Sequence, residues 1–208
     1  MKSAQRCGFL LWFAFLAAQA QGPAMKTFHD ARYGVTFQYP AQWISGPDAF
    51  HLGAEALRQT PDGGGPLGKV GFEVGQDGGP YPGAMLTGLQ FAYDVIPRSS
   101  RDNCRKRLEE IYNTPSTPTT IRGVAYNHTS FEGAWTGHQV FLEIYSSFQN
   151  GHCYLFDEQI NTISSEEAKP LSAAQWKQLR DELASVMQSV RIQPKRYSGS
   201  TIAISRKH

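Results

Sequence analysis

Apolar and polar positions alternate along most of this chain, and the alternation breaks wherever glycine, proline or asparagine intervenes. Val35, Phe37 and Tyr39 alternate with Thr36 and Gln38, which predicts a strand over Gly34–Pro40 with one face buried. Pro40 ends it because it has no N–H to give, and Trp43 has the bulk to return the chain to a core. A short strand over Lys26–Asp30 precedes it. Ala49–Leu57 and Leu67–Val74 read as strands joined by the loop 59–66 (Gln-Thr-Pro-Asp-Gly-Gly-Gly-Pro), and a second glycine–proline loop occupies 77–83. Leu86–Val95 follows as a strand, with Phe91, Tyr93 and Val95 in alternation.

Further on, Thr119–His128, Thr129–Trp135, Gln139–Phe148 and Cys153–Asn161 read as successive antiparallel strands. Asn150-Gly151 is a strong hairpin signal, because both central residues of a type I′ turn need positive φ. It sets Val140, Leu142 and Ile144 as neighbours of Tyr154, Phe156 and Ile160.

Two segments carry the helical period instead. Ser99, with Asp102 three residues on, predicts a capped helix running to about Tyr112, with Cys104, Leu108, Ile111 and Tyr112 on its apolar face. Pro115 and Pro118 close it. The second helix is capped by Ser172 with Gln175 completing the box and Leu171 and Trp176 at the staple positions. Trp176, Leu179, Leu183, Val186 and Val190 form its apolar stripe, which reads as core packing.

The N-terminus changes how the rest is read. Lys2 and Arg6 precede the apolar run Gly8–Ala17, and Ala18-Gln19-Ala20 supplies the small residues of a cleavage site. This is the layout of a secretory signal over residues 1–20, and the run is too short to span a bilayer. The expected organisation is therefore a signal peptide (1–20), one domain (26–193) and a flexible basic tail (194–208), with the protein secreted or periplasmic. Cleavage takes Lys2 and Arg6 from the 20 basic residues and none of the 18 acidic ones, so the remainder is formally neutral. Nucleic acid is a poor partner for such a chain. The charge is nevertheless uneven. Arg98, Arg101, Arg105, Lys106 and Arg107 gather on and around the first helix, and the tail carries Lys195, Arg196, Arg206 and Lys207 with no acid. Most such groups are simply solvated; an anionic partner is the functional alternative.

Cys104 and Cys153 survive cleavage, and an even count in an oxidising compartment favours a disulfide. It would close a loop of roughly 50 residues, worth about 3–4 kcal/mol.

The familiar catalytic signatures are absent: no Gly-x-Ser-x-Gly, no His-Glu-x-x-His, no phosphate-binding loop. No catalytic residue, metal ligand or cofactor is assigned. His128, His138 and His152 fall on the expected sheet, and Glu132, Glu143, Asp157 and Glu158 could converge on one side of it. The aromatic residues Tyr126, Phe131, Trp135, Phe141, Tyr145, Phe148, Tyr154 and Phe156 are more than one sheet face needs, so either layers cover both faces or one face stays open to a ligand.

The opening Tyr33-Gly34-Val35-Thr36-Phe37-Gln38-Tyr39-Pro40-Ala41-Gln42-Trp43 resembles the Gly-Phe-x-Phe-x-Tyr-Pro-x-x-Trp start of PsbP-like (Mog/PsbP-like) domains, a group that takes in bacterial envelope proteins of the DcrB type. The order of elements over residues 26–193 is similar. The resemblance implies an α+β fold: an α/β/α sandwich with a central antiparallel sheet and a C-terminal amphipathic helix. It further implies docking or assembly rather than catalysis, with no active site carried over.

The expected protein is thus a monomeric, exported, non-catalytic binding module whose partner is an envelope protein or an anionic surface, met at Arg98, Arg101, Arg105, Lys106 and Arg107. Two other readings compete. An envelope hydrolase or metal-dependent enzyme would gather two or three of His128, His138, Glu143 and Asp157 in a pocket. A lipid- or glycan-binding domain would leave an aromatic sheet face open.

Overall fold

The computed structural model describes residues 24–46, 66–74, 80–135, 137–164 and 166–193. The segment 1–20, the strand expected over Ala49–Leu57, residues 59–65 and 77–79 of the two expected loops and the tail 194–208 lie outside the described residues.

The opening segment folds as the alternation predicts. β1 (Met25–Asp30) and β2 (Val35–Pro40) form an antiparallel hairpin. Its turn is set by the Asp30 carboxylate, which accepts the N–H groups of Arg32 (2.7 Å) and Tyr33 (3.2 Å), and Gly34 then takes φ 68°. Val35, Phe37 and Tyr39 are buried, as is Trp43, whose N–H donates to the Pro40 carbonyl at 3.0 Å. β10 (Arg191–Ile192) adds to the other edge of β2, completing a three-stranded sheet.

The larger sheet has seven strands: β3 (Ile44–Ser45), β4 (Gly68–Glu73), β5 (Leu86–Ile96), β6 (Thr117–Ile121), β7 (Val124–Trp135), β8 (His138–Gln149) and β9 (His152–Ile163). Their spatial order is β3-β4-β5-β9-β8-β7-β6, antiparallel throughout. Two strands differ from expectation. Thr119–His128 and Thr129–Trp135 are not a pair of strands; β6 turns at Arg122-Gly123 (φ 49° and 81°) and β7 then runs unbroken to Trp135. Arginine is not a usual positive-φ residue, so the turn carries little signal at the level of sequence.

Asn150 and Gly151 take φ 51° and 75°, as their hairpin requires. The register it sets corrects the expected neighbours. Gln149 faces His152, so Val140, Leu142 and Ile144 pair with Asn161, Gln159 and Asp157, while Phe141 and Tyr145 pair with Ile160 and Phe156. A one-residue offset in strand pairing moves a side chain to the opposite face.

The two faces are covered differently. α2 (Ala173–Ser189) and the three-stranded sheet lie on one, in a core that joins Phe37, Phe91, Tyr93, Tyr154, Phe156, Leu179, Leu183 and Val186. The Ser172 and Gln175 box forms as read, and Leu179, Leu183, Val186 and Met187 are its buried residues. Two tyrosine hydroxyls tie the layers together: Tyr93 donates to the Asp30 carboxylate, and Tyr154 to the Tyr33 carbonyl at 3.1 Å.

On the other face α1 (Arg101–Tyr112) sets Leu108 among Val140, Leu142 and Ile144. Its cap is Ser100 rather than Ser99: the Ser100 hydroxyl accepts from the Asn103 N–H at 3.1 Å, while the Ser99 hydroxyl donates to the Ser100 carbonyl at 3.3 Å and the Ser99 N–H to the Gly151 carbonyl at 3.1 Å. Asn113, in the left-handed region at φ 47°, ends the helix.

This is the α+β architecture expected, helix and small sheet on one side and helix on the other. The open aromatic face required by a glycan- or lipid-binding sheet is not found among the described residues: Tyr126, Phe141, Tyr154 and Phe156 are buried in the α2-side core, and Phe131 packs in the cluster that holds Leu108.

Candidate functional site

Each face of the sheet carries a cleft beside its helix. On the α1 side, Cys104 and Cys153 are joined in a disulfide with Cα atoms 5.2 Å apart, which fastens the helix to β9. Cys104, Cys153 and Leu155 are buried together, with Ile96 and Phe148 against them. Between the first turns of α1 and the β6–β7 hairpin lies a groove of about 750 Å³, lined by Arg101, Arg105, Pro118, Thr120, Asn127 and Ser146 among others. The residues 101 and 105 share a helix face by their spacing. Arg101 reaches over the Phe148 ring (5.9 Å), and Arg105 Nη1 meets Glu109 Oε1 at 3.5 Å, a carboxylate that Ser116 also holds, its hydroxyl donating at 2.9 Å.

The five basic residues are therefore not one patch. Arg101 and Arg105 line the groove. Arg98 is exposed on the turn before the helix at φ 54°, Lys106 is exposed, and Arg107 is half-buried on the opposite flank from Arg105. Sequence spacing did not mark Asn127 and Ser146, which pair across β7 and β8 on the α1 face; the Asn127 side-chain amide lies 3.5 Å from the Ser146 hydroxyl.

On the α2 side, a cleft of about 410 Å³ is lined by Thr119, Thr120, Ile121, Arg122, His128, Tyr145, Glu158, Ala184, Met187 and Gln188. Here some of the candidate residues do meet. Glu143 and Glu158 are direct cross-strand partners. His128 Nε2 lies 2.5 Å from Glu143 Oε2, and its ring stacks on Tyr145 with centroids 4.7 Å apart. Glu158 is 4 % exposed and its Oε1 has no hydrogen-bond partner. Burial first, then the charges of Glu143 and Asp157, push its carboxyl up to about 8. Burial followed by Glu158 and Glu143 also holds the Tyr145 hydroxyl well above its ordinary range.

The remaining candidates do not join them. Asp157 is buried on the α1 face, where it pairs across to Ile144, and His138 sits at the far end of β8, opposite Ile163. Glu132 faces a separate cleft with Phe141, Trp176 and Arg180. Among the described residues no group of three or more His, Cys, Asp and Glu is arranged to hold a metal ion. Among them, too, no helix is long and apolar enough to cross a membrane.

No family profile matches the chain, and no curated protein matches it. Solved structures do resemble it. Cyanobacterial PsbP (CyanoP) from Synechocystis is 12 % identical, with 91 % of this chain and 98 % of that one covered and a TM-score of 0.47. LpqN of Mycobacterium tuberculosis, described as involved in cell envelope biogenesis, is 11 % identical over 82 % of this chain and 91 % of its own, at 0.46. The Ran-binding protein Mog1p of Saccharomyces cerevisiae is 12 % identical over 83 % and 97 %, at 0.43. A Bacteroides thetaiotaomicron protein is 12 % identical, and the chain spans about half of its length (49 %). At such identity the likeness concerns the path of the chain and says nothing of ligand or activity.

Proposed function

We propose that this protein is an exported, monomeric binding module of the cell envelope that receives an acidic segment of a protein partner in the groove beside α1. The observation that carries the reading is the groove itself, where Arg101 and Arg105, with Asp102 on the same wall, face neutral amide and hydroxyl groups of Asn127, Ser146 and Thr120. Two guanidinium groups against one lining carboxylate leave that wall net positive, and neutral hydrogen-bonding groups opposite it suit carboxylates in an extended segment. The cystine fixes the helix that bears the arginines, so the groove is pre-formed and little ordering is needed on binding. Export is supported by the signal-like segment 1–20 and by a disulfide that needs an oxidising compartment.

The test is capture of partners by the full chain in its native host after mild cross-linking, with three proteins compared. The parent and a Lys177→Glu control should retain the same cross-linked partner, while Arg101→Glu/Arg105→Glu should lose it. Retention by the double variant overturns the assignment of the groove.

A hydrolase is the second reading, and the His128–Glu143 contact beside Glu158 is what favours it. Hydrolysis of envelope ester or glycoside substrates that disappears in His128→Ala would establish it.

A further inference from the structure

Glu158 lies in the middle of a central strand, where a carboxyl is costly unless something answers it. It is buried, its Oε1 lacks a hydrogen-bond partner, and yet it lines an open cleft. Glu143 stands directly across from it, so the Cβ atoms of the two residues lie about 5 Å apart and both side chains leave the same face of the sheet. Two carboxyls placed in this way do not both ionise readily, and one keeps its proton until a cation enters between or beside them.

We propose that the cleft between α2 and strands β6–β9 binds a ligand through a primary ammonium group, received by Glu158 with Glu143 beside it.

The lining narrows the class further. Ile121, Ala184 and Met187 give the walls apolar surface and Tyr145 adds an aromatic ring, which suits a short alkyl stem leading to the ammonium. The cleft has the size of a small-ligand site. Arg122 also lines it and is exposed, so a second positive charge at the far end of the ligand is disfavoured and a carboxylate is welcome. An ω-amino acid therefore fits better than a diamine. His128 is engaged with Glu143, which leaves Glu158 as the principal acceptor.

The charged and titratable groups around Glu158 are Glu143 and Tyr145 on β8, His128 on β7, Arg122 on the β6–β7 turn and Asp157 on its own strand, while α2 offers only Ala184, Met187 and Gln188. With the Glu158 carboxyl held near 8, the empty site is mostly protonated at pH 7, so binding must expel a proton.

The experiment is isothermal titration of the full chain with 6-aminohexanoate at pH 7 in two buffers of different ionisation enthalpy. Hexanoate and 1,5-diaminopentane serve as comparators. The expected result is saturable binding of 6-aminohexanoate with net proton release, no binding of hexanoate, and at least tenfold weaker binding of the diamine. Glu158→Gln should lose at least tenfold in affinity; Glu158→Asp, which keeps an ionisable group, should keep part of it and guards against a folding artefact. The Arg101→Glu/Arg105→Glu chain should bind unchanged, which separates this site from the docking groove. Absence of 6-aminohexanoate binding, equal binding of hexanoate, or an unaffected Glu158→Gln chain would each overturn the proposal.

Discussion

Replacing Glu158 by Gln keeps the shape of the side chain and removes its titration, so the effect on stability must depend on pH. Burial and the neighbouring carboxyls push the folded carboxyl up to about 8, against about 4.5 for an ordinary glutamate. Between those values the folded chain holds a proton that the unfolded chain has released. Stability therefore falls as pH rises through that window, and the full penalty is present above about 8. At about 1.4 kcal/mol for each tenfold change in ionisation, the ceiling on the penalty is about 5 kcal/mol. Water reaching the carboxyl through the open cleft reduces this, and about 2–3 kcal/mol is the expected figure. Urea unfolding of parent and Glu158→Gln at pH 5, 6.5, 8 and 9 reads it out. The other titrating groups are common to both chains, so the difference between the two curves isolates this carboxyl. The two should be nearly equal at pH 5, and the variant more stable by about 2–3 kcal/mol at pH 9. A difference that stays flat across the range, or a variant less stable at pH 9, refutes the reasoning.

Two further outcomes follow from the packing. The Cys104–Cys153 bridge spans 49 residues, so Cys104→Ser/Cys153→Ser should lower the unfolding free energy by about 4 kcal/mol in urea titrations, and hydrogen exchange should show α1 as the element most loosened. A Cβ on Gly71 would stand 2.0 Å from the Leu89 carbonyl oxygen of the neighbouring strand. Gly71→Ala should accordingly cost about 2–4 kcal/mol, read as a lower thermal midpoint.

The segments legible in the sequence are those in which one local rule decides the outcome. Alternation placed β2 and β5, paired positive-φ residues placed the Asn150-Gly151 hairpin, and a complete capping box placed α2. The first helix starts one residue later than its spacing suggests, because Ser99 and Ser100 are equally good caps by residue type and local sequence does not choose between them. Strand β7 was divided because Arg122 adopts a conformation that its identity does not announce. Its consequences reach the site. Without the β6–β7 turn and the β8–β9 register, nothing in the sequence distinguishes Glu158, facing α2, from Asp157, facing α1. Both belong to a strand buried on both sides, where periodicity is weakest as a guide to face. The cysteines were readable as a pair from count and compartment; that their bridge holds one wall of a groove was not.

The proposed docking groove can be interrogated directly by placing a photo-activatable benzoylphenylalanine at Pro118, which lines it and not the α2-side cleft, and in a separate chain at Lys177, on the exposed side of α2. Each is expressed in the native host and irradiated, and adducts are identified by mass spectrometry. The proposal predicts one reproducible protein adduct from position 118, with an acidic segment at the cross-link, and none from position 177. An adduct from position 177 alone, or none from either, would contradict an α1 groove that docks a protein partner.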